Sequence, residues 1–115
     1  MHEFSVAKSL IDLVEKYALR ENMVKVKEIK IKVGILSGVE PYLLREAFEY
    51  LKTENILTAR AVLNIEIEGI KIKCEKCNSL EEREEYIFFC PYCGSEDVAI
   101  WGGDSLDVVK ITGLT

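Results

Sequence analysis

The stretch Cys74-Glu-Lys-Cys77 is followed by a second Cys-x-x-Cys motif, Cys90-Pro-Tyr-Cys93, with twelve residues between the two motifs. These four residues are all the cysteines of the 115-residue chain. Each Cys-x-x-Cys loop presents two thiolates to one ion, and Pro91 and Gly94 suit the tight turn that such a loop needs. Two loops on facing hairpins would complete a tetrahedral cage of four sulfur atoms. The spacing therefore predicts a structural metal site that supplies much of the folding free energy of a small module.

Zinc is the predicted ion, because it prefers four thiolates in tetrahedral geometry. Iron in a rubredoxin-like site is an alternative that Cys-Pro-Tyr-Cys-Gly suits equally well. Disulfides or a redox pair are another, although a thioredoxin-like protein would carry a single motif after a strand. Reduced cytoplasmic thiols favour metal binding over disulfides. We therefore expect Zn(II) on all four thiolates, those of Cys74, Cys77, Cys90 and Cys93.

Outward from the cysteines, the alternation of apolar residues changes phase at Gly69. Residues 61–68 alternate with the apolar positions on one face, whereas Ile70 and Ile72 have the opposite parity. Because a shift of one residue exchanges the two faces of a strand, Gly69 marks the point where the chain enters another unit. A Gly102-Gly103 turn ends that unit, and the β-rich run that follows is expected to return to the first sheet.

The amino-terminal half shows two helical patterns and one strand pattern. Apolar residues recur at helical spacing from Phe4 to Ala18, and Asn22 is a reasonable stop signal. Residues 28–33 alternate as a strand with one wet face, with a bulge or turn expected near Lys27. Pro41 suits the first turn of a second helix, where its missing N–H would be unpaired in any case.

These elements predict an α+β fold, in which two helices pack on a small mixed β-sheet. A zinc-ribbon-like module built from β-hairpins is inserted before the last strand. The predicted domains are residues 1–69 plus 102–115, which form the α+β domain, and residues 70–101, which form the zinc-binding domain.

Composition excludes several classes of function. The net charge is -5 and the sequence pI about 5.0, and residues 70–101 carry seven acidic against four basic residues. A nucleic-acid partner is therefore disfavoured. We expect no membrane span, because no apolar run approaches the roughly 20 residues required, and a cytoplasmic location, because no secretory leader is evident. We expect no enzymatic activity, since a closed four-cysteine site leaves no open coordination position and only one histidine is present.

That single histidine is His2, in the opening Met1-His2-Glu3. The α-amine, the amide nitrogen of His2 and its imidazole form successive chelate rings, and the amide of Glu3 can add a fourth nitrogen. A planar set of nitrogens suits Ni²⁺ or Cu²⁺ and does not suit Zn²⁺. The simpler interpretation is a solvated His2 at the start of a helix, with the Glu3 carboxylate placed favourably against the helix dipole.

The chain resembles the HypA family of hydrogenase and urease nickel-insertion metallochaperones over nearly its whole length. The resemblance rests on Met-His-Glu-Phe-Ser at residues 1–5 and on the segment 33–41, Val-Gly-Ile-Leu-Ser-Gly-Val-Glu-Pro. It continues with the two Cys-x-x-Cys motifs and with Gly-Gly-Asp-Ser-Leu at residues 102–106. The combination of these motifs is specific to the family, whereas no single motif would be.

The resemblance implies nickel at His2, with Met1 and Glu3 contributing backbone nitrogens, and structural zinc on the four cysteines. It implies delivery of Ni(II) to the large subunit of [NiFe] hydrogenase with a HypB-type GTPase, and it adds urease accessory proteins as candidate partners. We expect a monomer or a weak homodimer. Some relatives carry further histidines, and this chain has none beyond His2. The alternative is a zinc-ribbon protein-interaction module that does not transfer nickel.

Overall fold

Residues 2–115 are described by a computed structural model, and within them the chain forms two α-helices, one 3-10 turn and six strands. No helix of these residues combines the length and apolar character needed to cross a bilayer. The elements in chain order are α1 (Glu3–Arg20), β1 (Lys25–Gly34), α2 (Pro41–Leu51), the 3-10 turn (Lys52–Glu54), β2 (Val62–Glu68), β3 (Ile70–Cys74), β4 (Leu80–Arg83), β5 (Val98–Gly102) and β6 (Leu106–Leu114). The α+β prediction is confirmed.

The first sheet has the strand order β2-β1-β6. Strand β2 runs parallel to β1, with Leu63 opposite Ile29, and β6 runs antiparallel to β1, with Ile111 opposite Ile29. The sheet is therefore mixed, as predicted, and the last strand does return to it. The register between β1 and β6 shifts between Val26 and Glu28, at Lys27, where a bulge or turn was expected, and again between Lys30 and Ile31.

The hydrophobic core lies within this first unit. Its fully buried members come only from residues 7–63, and β6 adds partly buried apolar side chains. Helix α1 contributes one stripe at helical spacing: Ala7, Leu10, Ile11, Val14 and Ala18. The placement of Phe4 on that buried stripe is wrong: its side chain is 53 % exposed, beside the exposed ring of Tyr50 with ring centroids 6.3 Å apart.

The ends of both helices follow their sequence signals. Helix α1 ends at Arg20, and Asn22 takes the left-handed conformation with φ 58°. Pro41 occupies the first turn of α2, directly after the capping residue Glu40. Proline fits there because the first amides of a helix have no intrahelical acceptor.

A second, antiparallel sheet has the order β4-β3-β5. Cys74 ends β3, and the other three cysteines lie in the loops that follow β3 and precede β5. Gly69 separates β2 of the first sheet from β3 of the second, which confirms the change of sheet expected there. Apolar residues Ile70 and Ile72 on β3 are buried. The division into domains at residues 69–70 and 101–102 stays a prediction.

Three glycines meet where the chain passes between the two sheets. Gly34 N–H donates to the Ser105 carbonyl at 2.9 Å, and Leu36 N–H donates to the Gly103 carbonyl at 2.7 Å. A Cβ on Gly34 would meet the backbone of Gly103, and a Cβ on Gly103 would meet the backbone of Gly69. The two connecting segments thus pack backbone against backbone, with no room for a side chain.

Candidate metal centres

The four cysteine sulfur atoms converge at one end of the second sheet. Every pair of them lies within 4.8 Å. The distance is 3.6 Å from Cys74 Sγ to Cys93 Sγ and also 3.6 Å from Cys77 Sγ to Cys90 Sγ. A tetrahedral zinc ion with Zn–S bonds of about 2.3 Å requires sulfur atoms about 3.8 Å apart. The cluster therefore fits zinc, and its residues are the four that the sequence predicted.

Two loops of matching geometry position these sulfur atoms. In the first, Cys74 N–H donates to the Ser79 carbonyl at 3.0 Å; in the second, Cys90 N–H donates to the Ser95 carbonyl at 2.8 Å. A left-handed residue closes each loop, with φ 59° at Asn78 and φ 75° at Gly94. The turn at Gly94 was predicted, whereas Asn78 was missed. Its position one residue after the second cysteine, as for Gly94, is the signal that identifies it.

Backbone amides point at the buried sulfur atoms. Cys77 N–H donates to Cys74 Sγ at 3.4 Å, and the N–H groups of Tyr92 and Cys93 each donate to Cys90 Sγ at 3.4 Å. Cys74 and Cys90 are buried, while Cys77 and Cys93 are exposed. Each loop thus supplies one enclosed and one accessible ligand.

The crowding of the thiols drives their pKa values apart. The hydroxyl of Ser79, with backbone N–H groups, lowers the pKa of Cys90 to about 6. The backbone hydrogen bond with Ser95 lowers the pKa of Cys93, but the neighbouring Cys74 thiol and burial outweigh it and raise that pKa to about 11. Four thiolates this close repel one another unless a cation lies among them. The electrostatics therefore favour a bound dication.

Two of the three residues predicted to bind nickel, His2 and Glu3, lie at the start of α1. Met1 lies outside the described residues; His2 is exposed directly before the helix. Within residues 2–115, the first helical hydrogen bond runs from Val6 N–H to the His2 carbonyl at 3.0 Å. The amide nitrogens of His2 and Glu3 thus precede the hydrogen-bonded ladder of the helix. Binding a metal through them would break no helical bond.

The side chain of Glu3 has a role that the sequence did not reveal. It is only 7 % exposed, and its Oε2 accepts the backbone N–H of Glu40 at 2.9 Å. The carboxylate therefore ties the start of α1 to the start of α2, where the helix dipole favours a negative charge. The partners are 37 residues apart, so no local pattern predicts the contact.

The segment before α2 contacts both the amino terminus and the second unit. Glu40 caps α2, with its Oε1 accepting the N–H of Tyr42 at 3.3 Å. Five residues earlier, the carbonyl of Ile35 accepts the hydroxyl of Tyr86 at 3.4 Å. The segment 35–40 thus lies between the proposed nickel ligands and the second unit.

The known proteins that this chain resembles share one family description. A family model described as hydrogenase/urease nickel incorporation, metallochaperone, HypA matches residues 1–113. The chain is 43 % identical over 106 residues to hydrogenase maturation factor HypA of Aquifex aeolicus, covering 92 % of this chain and 91 % of that relative. It is 38 % identical over 111 residues to the protein of the same name from Campylobacter jejuni, covering 96 % and 97 %.

Two solved structures share the fold. The solution structure of the Ni metallochaperone HypA from Helicobacter pylori has a TM-score of 0.71 and 26 % identity, with 97 % of both chains covered. The solution structure of a HypA protein has a TM-score of 0.74 and 28 % identity, covering 99 % of this chain and 97 % of the other. Both similarities extend over the first and the second sheet.

Proposed function

The chain belongs to the HypA family of hydrogenase and urease nickel-incorporation metallochaperones, and we propose that it delivers Ni(II) to the large subunit of a [NiFe] hydrogenase. A HypB-type GTPase would take part in the transfer, and urease accessory proteins are further candidate partners. The observation that carries this proposal is the exposed His2, the single histidine of the chain, placed directly before α1.

Nickel would bind through nitrogens of Met1, His2 and Glu3. The imidazole and deprotonated amides form a nearly planar set, which suits Ni²⁺ and rejects Zn²⁺ on geometric grounds. The position of His2 supports this ligand set, because its side chain is exposed and its amide precedes the helical hydrogen bonds. The Glu3 carboxylate is held by Glu40, so we assign it the role of fixing the helix start rather than that of a ligand.

The zinc centre has a structural role in this proposal. Four cysteines fill the coordination sphere of zinc and leave no open position for a substrate. We therefore propose that the protein has no catalytic activity. We also propose that it is cytoplasmic, acts as a monomer or weak homodimer, and binds neither nucleic acid nor membranes.

Release of nickel must follow from contact with a partner. Protonation of the amide and imidazole nitrogens weakens metal binding. The hydrogen bond between Glu3 and Glu40 ties the proposed ligands to the exposed start of α2. A partner that docks beside Glu40 and disturbs this bond would distort the planar set and favour transfer.

Replacement of His2 with alanine tests the function in cells. In a strain lacking its own family member, at trace nickel, we expect His2→Ala to lower hydrogenase activity at least about tenfold relative to the native chain, because one ligand is lost. Excess nickel in the medium should restore activity, since supply then no longer depends on the chaperone. Lys8→Ala, at an exposed position of the same helix, is the control and should leave activity unchanged.

Full activity with His2→Ala at trace nickel would reject the nickel function of this residue. The zinc-ribbon interaction module without nickel transfer would then be the better description. Immunoblots that show equal amounts of each variant keep the comparison free of differences in expression.

A further inference from the structure

The hydroxyl of Ser79 lies between two cysteine sulfur atoms of different loops. Its Oγ is 3.1 Å from Cys77 Sγ and 3.4 Å from Cys90 Sγ. In a zinc-bound site both sulfur atoms are deprotonated, so the serine must be the donor. Ser79 therefore directs its one polar hydrogen into the sulfur cluster.

The second loop offers an internal comparison. Ser95 occupies the position equivalent to Ser79, two residues after the second cysteine of its motif, and its carbonyl accepts the corresponding backbone hydrogen bond. Its hydroxyl oxygen instead accepts the N–H of Asp97 at 3.0 Å. The two loops have matching backbones and the same residue type, but only one hydroxyl reaches the sulfur atoms.

We propose that Ser79 is a positioning residue for the zinc site, whose hydroxyl holds the sulfur atoms of Cys77 and Cys90 and leaves Cys93, which it does not reach, as the exposed ligand that dissociates first. A hydrogen bond to a charged acceptor is about twice as strong as one between neutral groups. It also withdraws charge from the thiolate, which makes Cys77 a weaker base and nucleophile. Cys77 and Cys93 are both exposed, but the hydroxyl contacts only Cys77 of the two, so we expect Cys93 to be the more labile ligand. The inference concerns zinc alone and holds whether or not the chain carries nickel.

Zinc release measures the first part of the proposal. The full-length zinc protein is mixed with excess 4-(2-pyridylazo)resorcinol, and release is followed by absorbance. We expect Ser79→Ala to release zinc about tenfold faster than the native chain. Ser95→Ala should release zinc within about twofold of the native rate, because the Ser95 hydroxyl contacts no sulfur atom. Ser79→Thr, which keeps a hydroxyl, should restore the native rate.

Substitution of cobalt for zinc adds a spectroscopic measurement, the position of the thiolate-to-cobalt charge-transfer band, that a purely structural role of Ser79 would not change. A hydrogen bond to a thiolate stabilises its sulfur electrons and raises the energy of thiolate-to-cobalt charge transfer. The band should move to longer wavelength in Ser79→Ala, remain in place in Ser95→Ala and return in Ser79→Thr. Equal release rates and equal band positions for Ser79→Ala and Ser95→Ala would overturn the proposal. Loss of metal by Ser79→Ala and Ser79→Thr alike would also overturn it, since the hydroxyl would then not be what the site needs.

Limited alkylation tests which of the two exposed ligands, Cys77 or Cys93, dissociates first. The zinc protein is treated briefly with iodoacetamide, and the modified peptides are identified by mass spectrometry. We expect Cys93 to react before Cys77 in the native chain and the two to react at similar rates in Ser79→Ala. Earlier reaction of Cys77 in the native chain would contradict the assigned order.

Discussion

Cys90→Ser is expected to abolish zinc binding and to unfold residues 70–101, while the first sheet keeps its structure. Cys90 is 1 % exposed, and its Sγ lies 3.6 Å from Cys77 Sγ within the sulfur cluster. Structural zinc contributes on the order of 10 kcal/mol to the folding of small zinc modules, far more than the few buried apolar residues of the second sheet can replace. The fully buried core of the first unit uses only residues 7–63, so it does not depend on the zinc.

Two-dimensional NMR of the full chain, combined with zinc analysis, would measure this effect. Signals of residues 70–101 should collapse to random-coil positions, while those of Ile29 and Leu63 remain dispersed. Tyr92→Ser is the matched control, because Tyr92 lies within the same loop but is exposed; it should keep zinc and fold. Native dispersion throughout Cys90→Ser would show that zinc does not hold the module together.

Gly103→Ala should lower the free energy of unfolding by more than about 3 kcal/mol, because it disturbs the junction between the two sheets, where Gly34, Gly69 and Gly103 pack together. Gly103 has φ 86°, and its Cβ would lie 2.9 Å from both Gly69 C and Ile70 Cα, closer still to the Gly69 carbonyl oxygen. Every one of these atoms belongs to the backbone, so no side-chain rotation can relieve the clash. The Gly103 carbonyl also accepts the N–H of Leu36, and any shift of the chain would weaken that bond.

Gly94→Ala separates the clash from the cost of the left-handed conformation. Gly94 has φ 75°, and no atom lies within 4 Å of the position its Cβ would take. Gly94→Ala should therefore lower the free energy of unfolding by only about 1 kcal/mol. Urea unfolding of both variants in their zinc-bound form gives the comparison; equal losses for Gly94→Ala and Gly103→Ala would mean that the junction is not closely packed.

Local features of the fold could be predicted from the sequence because they depend on neighbours along the chain. Val24 and Val26 have the opposite parity to the strand that begins at Glu28, which predicts a bulge or turn near Lys27, and the register shifts there. The change of phase at Gly69 predicts the passage between the two sheets. Cysteine spacing identified the metal cluster, because four thiolates in two tight loops leave few other arrangements. The backbone conformation of Asn78 could have been found in the same way, by aligning the two loops on Gly94.

Contacts between distant segments could not be predicted in this way. Alternation shows which face of a strand is buried but not which strand lies beside it, so the parallel pairing of β1 with β2 appeared only in the structure. The same holds for the Glu3 carboxylate on the Glu40 amide. Phe4 fits the helical repeat of α1, but the repeat does not show how far along the helix other elements cover it. The ring of Phe4 is exposed and lies beside the ring of Tyr50.

The proposed nickel site is tested most directly by titrating Ni²⁺ into the untagged chain beginning at Met1 and into a variant with one extra glycine ahead of Met1. The variant keeps every side chain but moves the α-amine out of the chelate plane with His2. Absorbance and native mass spectrometry report the binding. We expect only the chain beginning at Met1 to bind one nickel with the near-ultraviolet to blue absorbance of a planar nitrogen site. Equal binding by both proteins, or binding by neither, would contradict a nickel site at the amino terminus.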